Sequence, residues 1–373
     1  MIVLKENRFF MATLGVRRFM AAVLACGLWL FAVACNSSSN KPVTATAGNE
    51  LTGAGSTFVY PIMSRWISAF QQSNPDVRIN YQSIGSGGGI QQLRKGLVDF
   101  GASDAALSDE QLKDMPPLVQ IPESAGPVCI TYNLPSLKQP LKLSSATLAG
   151  IYLGKIKKWH DPAITKDNPG VQLPDADIVV AHRTDGSGTT NIFTTYLDAV
   201  NPDWHSTVGK GISVNWPVGL GGKGSEGVTG VVKQTEGGIG YVELTYASQN
   251  NLPVAQIKNA AGKWISPSPE GASAAIAAFK DKLSQDVRNA IVNPPASAPE
   301  AYPISGLTYL LIPKQPKDAA RAQTVHKFVS FVLSDGQNMS ADMHYSKLPP
   351  ELQQVNQQLL SQISGSSSNP GQK

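Results

Sequence analysis

The chain has 373 residues, 42% hydrophobic and 16% charged, with 34 glycines, 26 prolines and a formal net charge of +4. That length is too great for one compact core and points to two lobes, and the composition suits a turn-rich α/β protein rather than a disordered one. Residues 1–34 hold four basic side chains (Lys5, Arg8, Arg17, Arg18) and one acidic (Glu6), so without them the net charge falls from +4 to +1, and nucleic-acid binding, which needs a clustered basic surface, is not expected.

At the N-terminus, Arg17-Arg18 precedes an uncharged and mainly apolar run, Phe19 to Ala34. A basic start, an apolar stretch and small residues before a break mark a secretion signal, and the run is shorter than the about twenty residues of a spanning helix. Cys35 follows Ala32-Val33-Ala34 and precedes Asn36-Ser37-Ser38-Ser39. This resembles a bacterial lipoprotein box, with Ala32 where a leucine is usual. The expectation is a signal peptide over 1–34, a lipid on Cys35, a flexible tether over 35–50 and placement in the cell envelope or periplasm. Simple cleavage of the signal is the alternative. Cys26 also follows a Val-Leu-Ala run, but cutting there would leave an apolar mature N-terminus. Cys129, in the apolar run Pro127–Ile130, would lack an intramolecular partner and reads as a small core residue.

Leu51–Phe58 reads as a short strand running into a Gly/Ser/Thr turn, and Met63, Trp66, Ile67 and Phe70 then recur at helical spacing. Val77–Gln82 alternates as a strand and leads to a second such turn, Ser83–Gly89, followed by a helix marked by Ile90, Leu93 and Leu97. Val98–Ala105 is a short strand and turn containing Asp104, and Ser108 caps a helix start. From Pro127 a new segment opens with the strand Val128–Tyr132. Gly154–Trp159 reads as a basic surface turn. Asp177–Val180 is a buried strand, Ala181–Thr190 a turn with Arg183, Asp185, Gly186, Ser187, Gly188 and Thr189, and Asn191–Leu197 a helix. Val218–Ser225 is a glycine-rich loop before a helix, Gly237–Glu243 a turn and strand, and Tyr302–Ile312 a strand before a helix with Val325, Phe328, Val329 and Val332 on one face.

The turns around Thr57, Ser86 and Ser187 share one chemistry. The first N–H groups of a helix lack intrahelical partners and carry partial positive charge. Glycine lets a ligand approach that backbone, hydroxyls add donors, and Arg183 adds a planar fork suited to oxyanions. Open α/β sheets place ligands beyond the carboxyl ends of their strands, so two sheets facing one another would bring the three turns to one cleft. Known catalytic and cofactor motifs fail: Gly85 and Gly87 are followed by Ile90 where a dinucleotide fingerprint needs glycine, Gly222-Lys223-Gly224 breaks the phosphate-loop pattern, and His160, His182, His205, His326 and His344 lack metal-ligand spacing. No enzyme activity, metal or cofactor is expected.

Thr52–Phe58, Gly85–Gly88, Asp99–Asp104 and Arg183–Thr189 resemble segments of the PstS family, the phosphate-binding proteins of bacterial phosphate ABC importers; Ile151–Ile156, Gly219–Gly224 and Ile239–Glu243 resemble further ones. The resemblance runs in order from about residue 51 to 350. It implies a two-lobe α/β periplasmic-binding-protein fold of type II with two chain crossings as the hinge. Lobe I would be 51–126 plus 303–363 and lobe II 127–302, with 364–373 a disordered tail. It implies inorganic phosphate as ligand, permease and ATPase subunits as partners, membrane attachment through Cys35 and a monomeric state. Thr57, Phe58, Ser86, Arg183, Ser187, Gly188 and Thr189 would donate to the anion, and Asp185 would align Arg183. Asp104 would accept the proton that phosphate keeps and sulfate lacks. The alternatives are a binder of another oxyanion such as sulfate or molybdate, a secreted phosphatase-like enzyme, and a surface phosphate sensor or adhesin without a transporter.

Overall fold

The computed structural model describes residues 47–316 and 319–363. The signal segment, Cys35 and the tail from 364 lie outside the described residues, as does most of the expected tether. The end of that tether belongs to the folded body: Ala47–Asn49 form one turn of 3-10 helix and Glu50 opens the first strand. The strands in chain order are β1 (Glu50–Gly55), β2 (Arg78–Ser83), β3 (Phe100–Ser103), β4 (Leu118–Tyr132), β5 (Lys142–Leu143), β6 (Val179–Arg183), β7 (Leu220–Gly222), β8 (Gly238–Glu243), β9 (Gln256–Lys258), β10 (Trp264–Ile265) and β11 (Ser305–Pro313).

Eight of them form one continuous sheet in the order β2-β1-β3-β11-β4-β8-β6-β7, and β10-β9-β5 form a small separate one. The expectation of two facing sheets is corrected here, and the cause is β4. Along its first part β4 pairs with β11, and from Val128 onward it pairs with β8. One 15-residue strand therefore joins both halves. Sequence reading began this strand only at Val128, because Pro122, Gly126 and Pro127 break its pattern. The ladder tolerates them through a β-bulge: Pro122 faces Tyr309 and Ser124 faces Thr308, leaving Glu123 as the extra residue.

The register locates the site. β1, β2 and β3 are parallel, and β3 ends at Ser103, which faces Tyr309, which in turn faces Pro122 of β4. β6, β7 and β8 are also mutually parallel but run against β4, and β8 ends at Glu243 opposite Val128. The carboxyl ends of the two strand sets thus point at each other over the middle of β4. At about 3.4 Å per residue, six residues of β4 separate them by about 20 Å.

The helices lie where amphipathic spacing put them, with local exceptions. Tyr60–Ser73 buries Met63, Trp66, Ile67 and Phe70, and Phe70 meets Phe328 of the helix Ala319–Leu333 with ring centroids 5.4 Å apart. The Trp66 indole N–H donates to Gly336 O at 2.9 Å. Ser86–Arg94 stops before Leu97, which is 64% exposed, because Gly96 turns the chain with φ +63°. Trp159 leaves the basic turn at 155–158 and is fully buried, its indole N–H bonded to Gly237 O. Cys129 is a buried free thiol.

Candidate functional site

The first jaw begins where β1 ends. Ser56, Thr57 and Phe58 form a buried turn leading into the helix Tyr60–Ser73. Three tyrosine hydroxyls take its successive carbonyls: Tyr81 donates to Ser56 O at 2.9 Å, Tyr246 to Thr57 O at 2.6 Å and Tyr345 to Phe58 O at 2.5 Å. Ser56 N donates to Ala102 O and Val59 N to Ser56 Oγ. The N–H groups of Thr57 and Phe58 find no acceptor among the described residues. With the carbonyls held outward, both donors of a helix start are left for a ligand.

Two further strand ends complete this jaw. After β2, Gly85 has φ +84° and opens the helix Ser86–Arg94. After β3 comes Asp104, which is 4% exposed. Ser56 Oγ donates to its Oδ1 at 2.5 Å and Ser86 Oγ to its Oδ2 at 3.4 Å, while Asp104 N donates to Ser86 Oγ at 3.2 Å. Burial pushes the Asp104 carboxyl up to about 6, although Ser56, Thr308, Arg183 and Ser86 all favour its ionised form. Near neutral pH it is an anion that accepts protons and is nearly ready to hold one.

The second jaw follows β6. Arg183 is buried, and its fork donates from Nε to Asp185 Oδ1 at 2.7 Å and from Nη2 to Oδ2 at 2.5 Å. Gly224 N adds a bond to Asp185 Oδ1 at 3.0 Å. Burial alone would raise the Asp185 carboxyl, but the Arg183 fork and the Gly224 N–H outweigh it and hold the group below its usual value. Behind them, Tyr241 OH accepts from Arg183 N and bonds Thr190 Oγ1 at 2.6 Å, which fixes the strand end. Ser187 caps the helix Gly188–Val200 by accepting from Thr190 N at 3.1 Å, which uses a lone pair and leaves its own proton. Thr189 Oγ1 is buried with no partner among the described residues. A buried hydroxyl without a partner asks for a ligand or a water.

The two jaws meet. Gly188 N donates to Ser86 Oγ at 3.1 Å and Gly87 N to Gly186 O at 2.9 Å. A Cβ on Gly188 would lie 2.6 Å from Asp104 Cβ and from Ser86 Oγ, so only glycine permits this approach. The structure joins Ser86, Asp104 and Gly188 directly and pairs Arg183 with Asp185, while Thr57, Phe58, Ser187 and Thr189 sit on the turns that flank these contacts. Cys35, the expected lipid site, is outside the described residues. Sequence reading missed Ser225, Gly224 and the tyrosines Tyr81, Tyr246 and Tyr345. The glycine-rich loop before Ser225 carried a local signal; the tyrosines carried none. Among the described residues no cluster of His, Cys, Asp or Glu has the arrangement of a metal site. The chemistry is that of an oxyanion held by backbone and hydroxyl donors, one ion-paired guanidinium and one acceptor.

Comparison with known proteins establishes the family and the fold. A family model described as a PBP superfamily domain matches residues 40–336. The phosphate-binding protein PstS of Xylella fastidiosa is 42% identical over 318 residues, covering 85% of this chain and 86% of that protein. PstS of Haemophilus influenzae is 41% identical over 305 residues, covering 82% of this chain and 90% of that protein. A phosphate-bound high-affinity periplasmic phosphate-binding protein (PfluDING) superposes with a TM-score of 0.67 at 23% identity, over 82% of this chain and 92% of that one, a likeness of fold. The fold is a periplasmic-binding-protein fold, and the chain belongs to the PstS family of phosphate-binding proteins.

Proposed function

We propose that this chain binds inorganic phosphate between its two sheet halves and delivers it to the permease and ATPase subunits of a phosphate ABC importer. The observation that carries the reading is Asp104. Every other group proposed to face the ligand donates: the N–H of Thr57 and Phe58, the hydroxyls of Thr57 and Ser187, the N–H and hydroxyl of Thr189, and Arg183; the Gly188 N–H and the Ser86 hydroxyl, which bond Ser86 Oγ and Asp104 Oδ2 in the structure, would turn from those partners to the anion. A buried carboxylate among donors suits an anion that still carries a proton. Phosphate keeps a P–O–H near neutral pH and is accepted, whereas sulfate would meet Asp104 as an unpaired like charge. That contrast disfavours a general oxyanion binder. The relatives are named as binding proteins, and we read this chain as a binder and not a phosphatase.

In this reading lobe I is 51–126 plus 303–363 and lobe II 127–302, and the hinge falls where β4 passes from β11 to β8 and where the chain enters β11. Closure about that hinge captures the ligand. The protein works as a monomer in the periplasm, held to the membrane by a lipid on Cys35 after removal of 1–34. Titration calorimetry of residues 47–373, which keep the first strand whole, with phosphate, arsenate and sulfate tests the reading. Tight phosphate binding with little or no sulfate heat is expected, and Asp104→Asn should narrow the gap; equal affinity of the parent for phosphate and sulfate would refute it.

A further inference from the structure

The helix Gly224–Gln234 starts across the cleft from the Thr57 turn and follows β7, in the other half of the sheet. Ser225, in its first turn, is 1% exposed. Its N–H donates to Thr57 Oγ1 at 3.2 Å, and the two hydroxyl oxygens are 2.8 Å apart. A hydroxyl oxygen has two lone pairs and one proton. The Ser225 N–H occupies one lone pair. When the Ser225 hydroxyl donates as well, both are filled, and the Thr57 proton must leave toward a third group. The same half also reaches the backbone beside it, through Tyr246 OH on Thr57 O at 2.6 Å. These bonds cross from one half to the other, so they exist only when the halves are together.

We propose that Ser225 is a positioning residue: it clasps Thr57 across the closing cleft, fills both lone pairs of that hydroxyl and turns its proton toward the bound anion. Closure and donor orientation are then a single event. An open protein has a Thr57 hydroxyl free to rotate and to act as acceptor, which repels an anion; the closed protein has one that only donates. The inference rests on the reading of Thr57 as a phosphate donor. It assigns Ser225 no contact with phosphate itself.

A double-mutant cycle of Ser225→Ala and Thr57→Val, read by phosphate Kd and dissociation rate, tests it. Loss of one directed hydrogen bond predicts a roughly tenfold weaker Kd for Ser225→Ala, carried mostly by faster dissociation. The double variant should bind like Thr57→Val alone, because Ser225 acts through Thr57. Ser225→Thr, which keeps the hydroxyl, should restore most of the affinity. A Ser225→Ala protein that binds like the parent, or losses that multiply in the double variant, overturns the proposal. A second readout is the cleft-spanning distance between spin labels in the ligand-free protein, which should shift toward longer values in Ser225→Ala. If the parent proves not to bind phosphate, the functional reading fails on its own, and an unchanged distance distribution then overturns the clasp as well.

Discussion

Asp104 shows how one side chain decides what a donor-rich site accepts. Its oxygens take the Ser56 and Ser86 hydroxyls, and Arg183, Thr308 and the buried Glu123 surround it. With the carboxyl pushed up to about 6 by burial, it is ionised at pH 7 to 8 and can take the ligand's proton. Below about 6 it is protonated and can no longer accept, while phosphate itself gains protons. Phosphate affinity is therefore expected to fall by roughly tenfold per pH unit below about 6, and Asp104→Asn should flatten that acid limb. Calorimetry from pH 5 to 8 on both proteins checks this, and parallel profiles would remove Asp104 from the role. Gly188 makes a steric counterpart. Its missing Cβ would sit 2.6 Å from Asp104 Cβ and Ser86 Oγ, atoms of the opposite jaw. Overpacking costs about 1–3 kcal/mol, so Gly188→Ala should weaken phosphate binding by about ten- to a hundredfold. The overlap arises only on closure, so the melting temperature without ligand should hardly move. A variant that melts early and still binds tightly would contradict the closed geometry. Arg183 and Asp185 were legible in the sequence because they sit two residues apart at a strand end, where a planar fork and a carboxylate can meet without help from the rest of the chain.

At the scale of elements, the turn Ser56–Phe58 is built by long-range contacts. Its composition announced an anion-friendly helix start, since glycine and hydroxyls between a short strand and a helix are a local signal. The three tyrosines that hold its carbonyls come from 25, 189 and 287 residues away. Such partners leave no periodicity to read. β4 hid for a related reason: its two prolines and Gly126 look like a break until a bulge at Glu123 and a partner on each side absorb them. The tyrosines separate into two classes. Tyr81 and Tyr345 belong to the same half as the turn, whereas Tyr246 lies in the short helix Leu244–Gln249 after β8. Removing a buried hydroxyl leaves a carbonyl unpaired at a cost of about 1–3 kcal/mol. Tyr81→Phe and Tyr345→Phe should therefore lower the stability of the ligand-free protein by that amount. Tyr246→Phe should instead cost mainly phosphate affinity, by roughly tenfold, because its bond forms with closure. Chemical denaturation and calorimetry on the three variants separate the classes, and a common loss of stability in all three would show that the turn is held the same way open and closed.

For the whole molecule, the alternation of short strands and helices disclosed an α/β fold, and the three turns disclosed a shared site. What stayed hidden was that both strand sets hang on one strand. Only pairing register, which depends on residues far apart in sequence, brings Ser103 and Glu243 to the middle of β4 from opposite directions. That junction is buried, and it holds carboxyls that a surface would not perturb. Burial raises Asp104 to about 6 and puts Glu123 and Glu243 well above their ordinary values, and one oxygen of each glutamate has no partner among the described residues. A carboxyl whose folded pKa is raised binds its proton more tightly folded than unfolded. Its stabilising effect is fully present below the unfolded pKa and is lost as pH rises from there through the folded value. For Asp104, raised from 3.8 to about 6, that window contributes about 3 kcal/mol, and the two glutamates act in the same direction. The opposite limb comes from Asp185, which the Arg183 fork and the Gly224 N–H hold low against its burial, and from Asp286, held low by Arg288. Their contribution is lost only as pH falls below the ordinary carboxylate range. The ligand-free protein should therefore melt highest near pH 4 and lose stability as pH rises, first between about 4 and 6 as Asp104 ionises and then further as the two glutamates do. Glu123→Gln keeps the shape and removes the charge, so it should flatten the alkaline fall and raise the melting temperature at pH 8 by about 2–4 °C for each kcal/mol relieved. Thermal melts from pH 4 to 8.5 without phosphate give the answer: a parent curve that climbs from pH 5 to 8 would mean that these buried carboxyls are solvated in the free protein and that the junction opens to water.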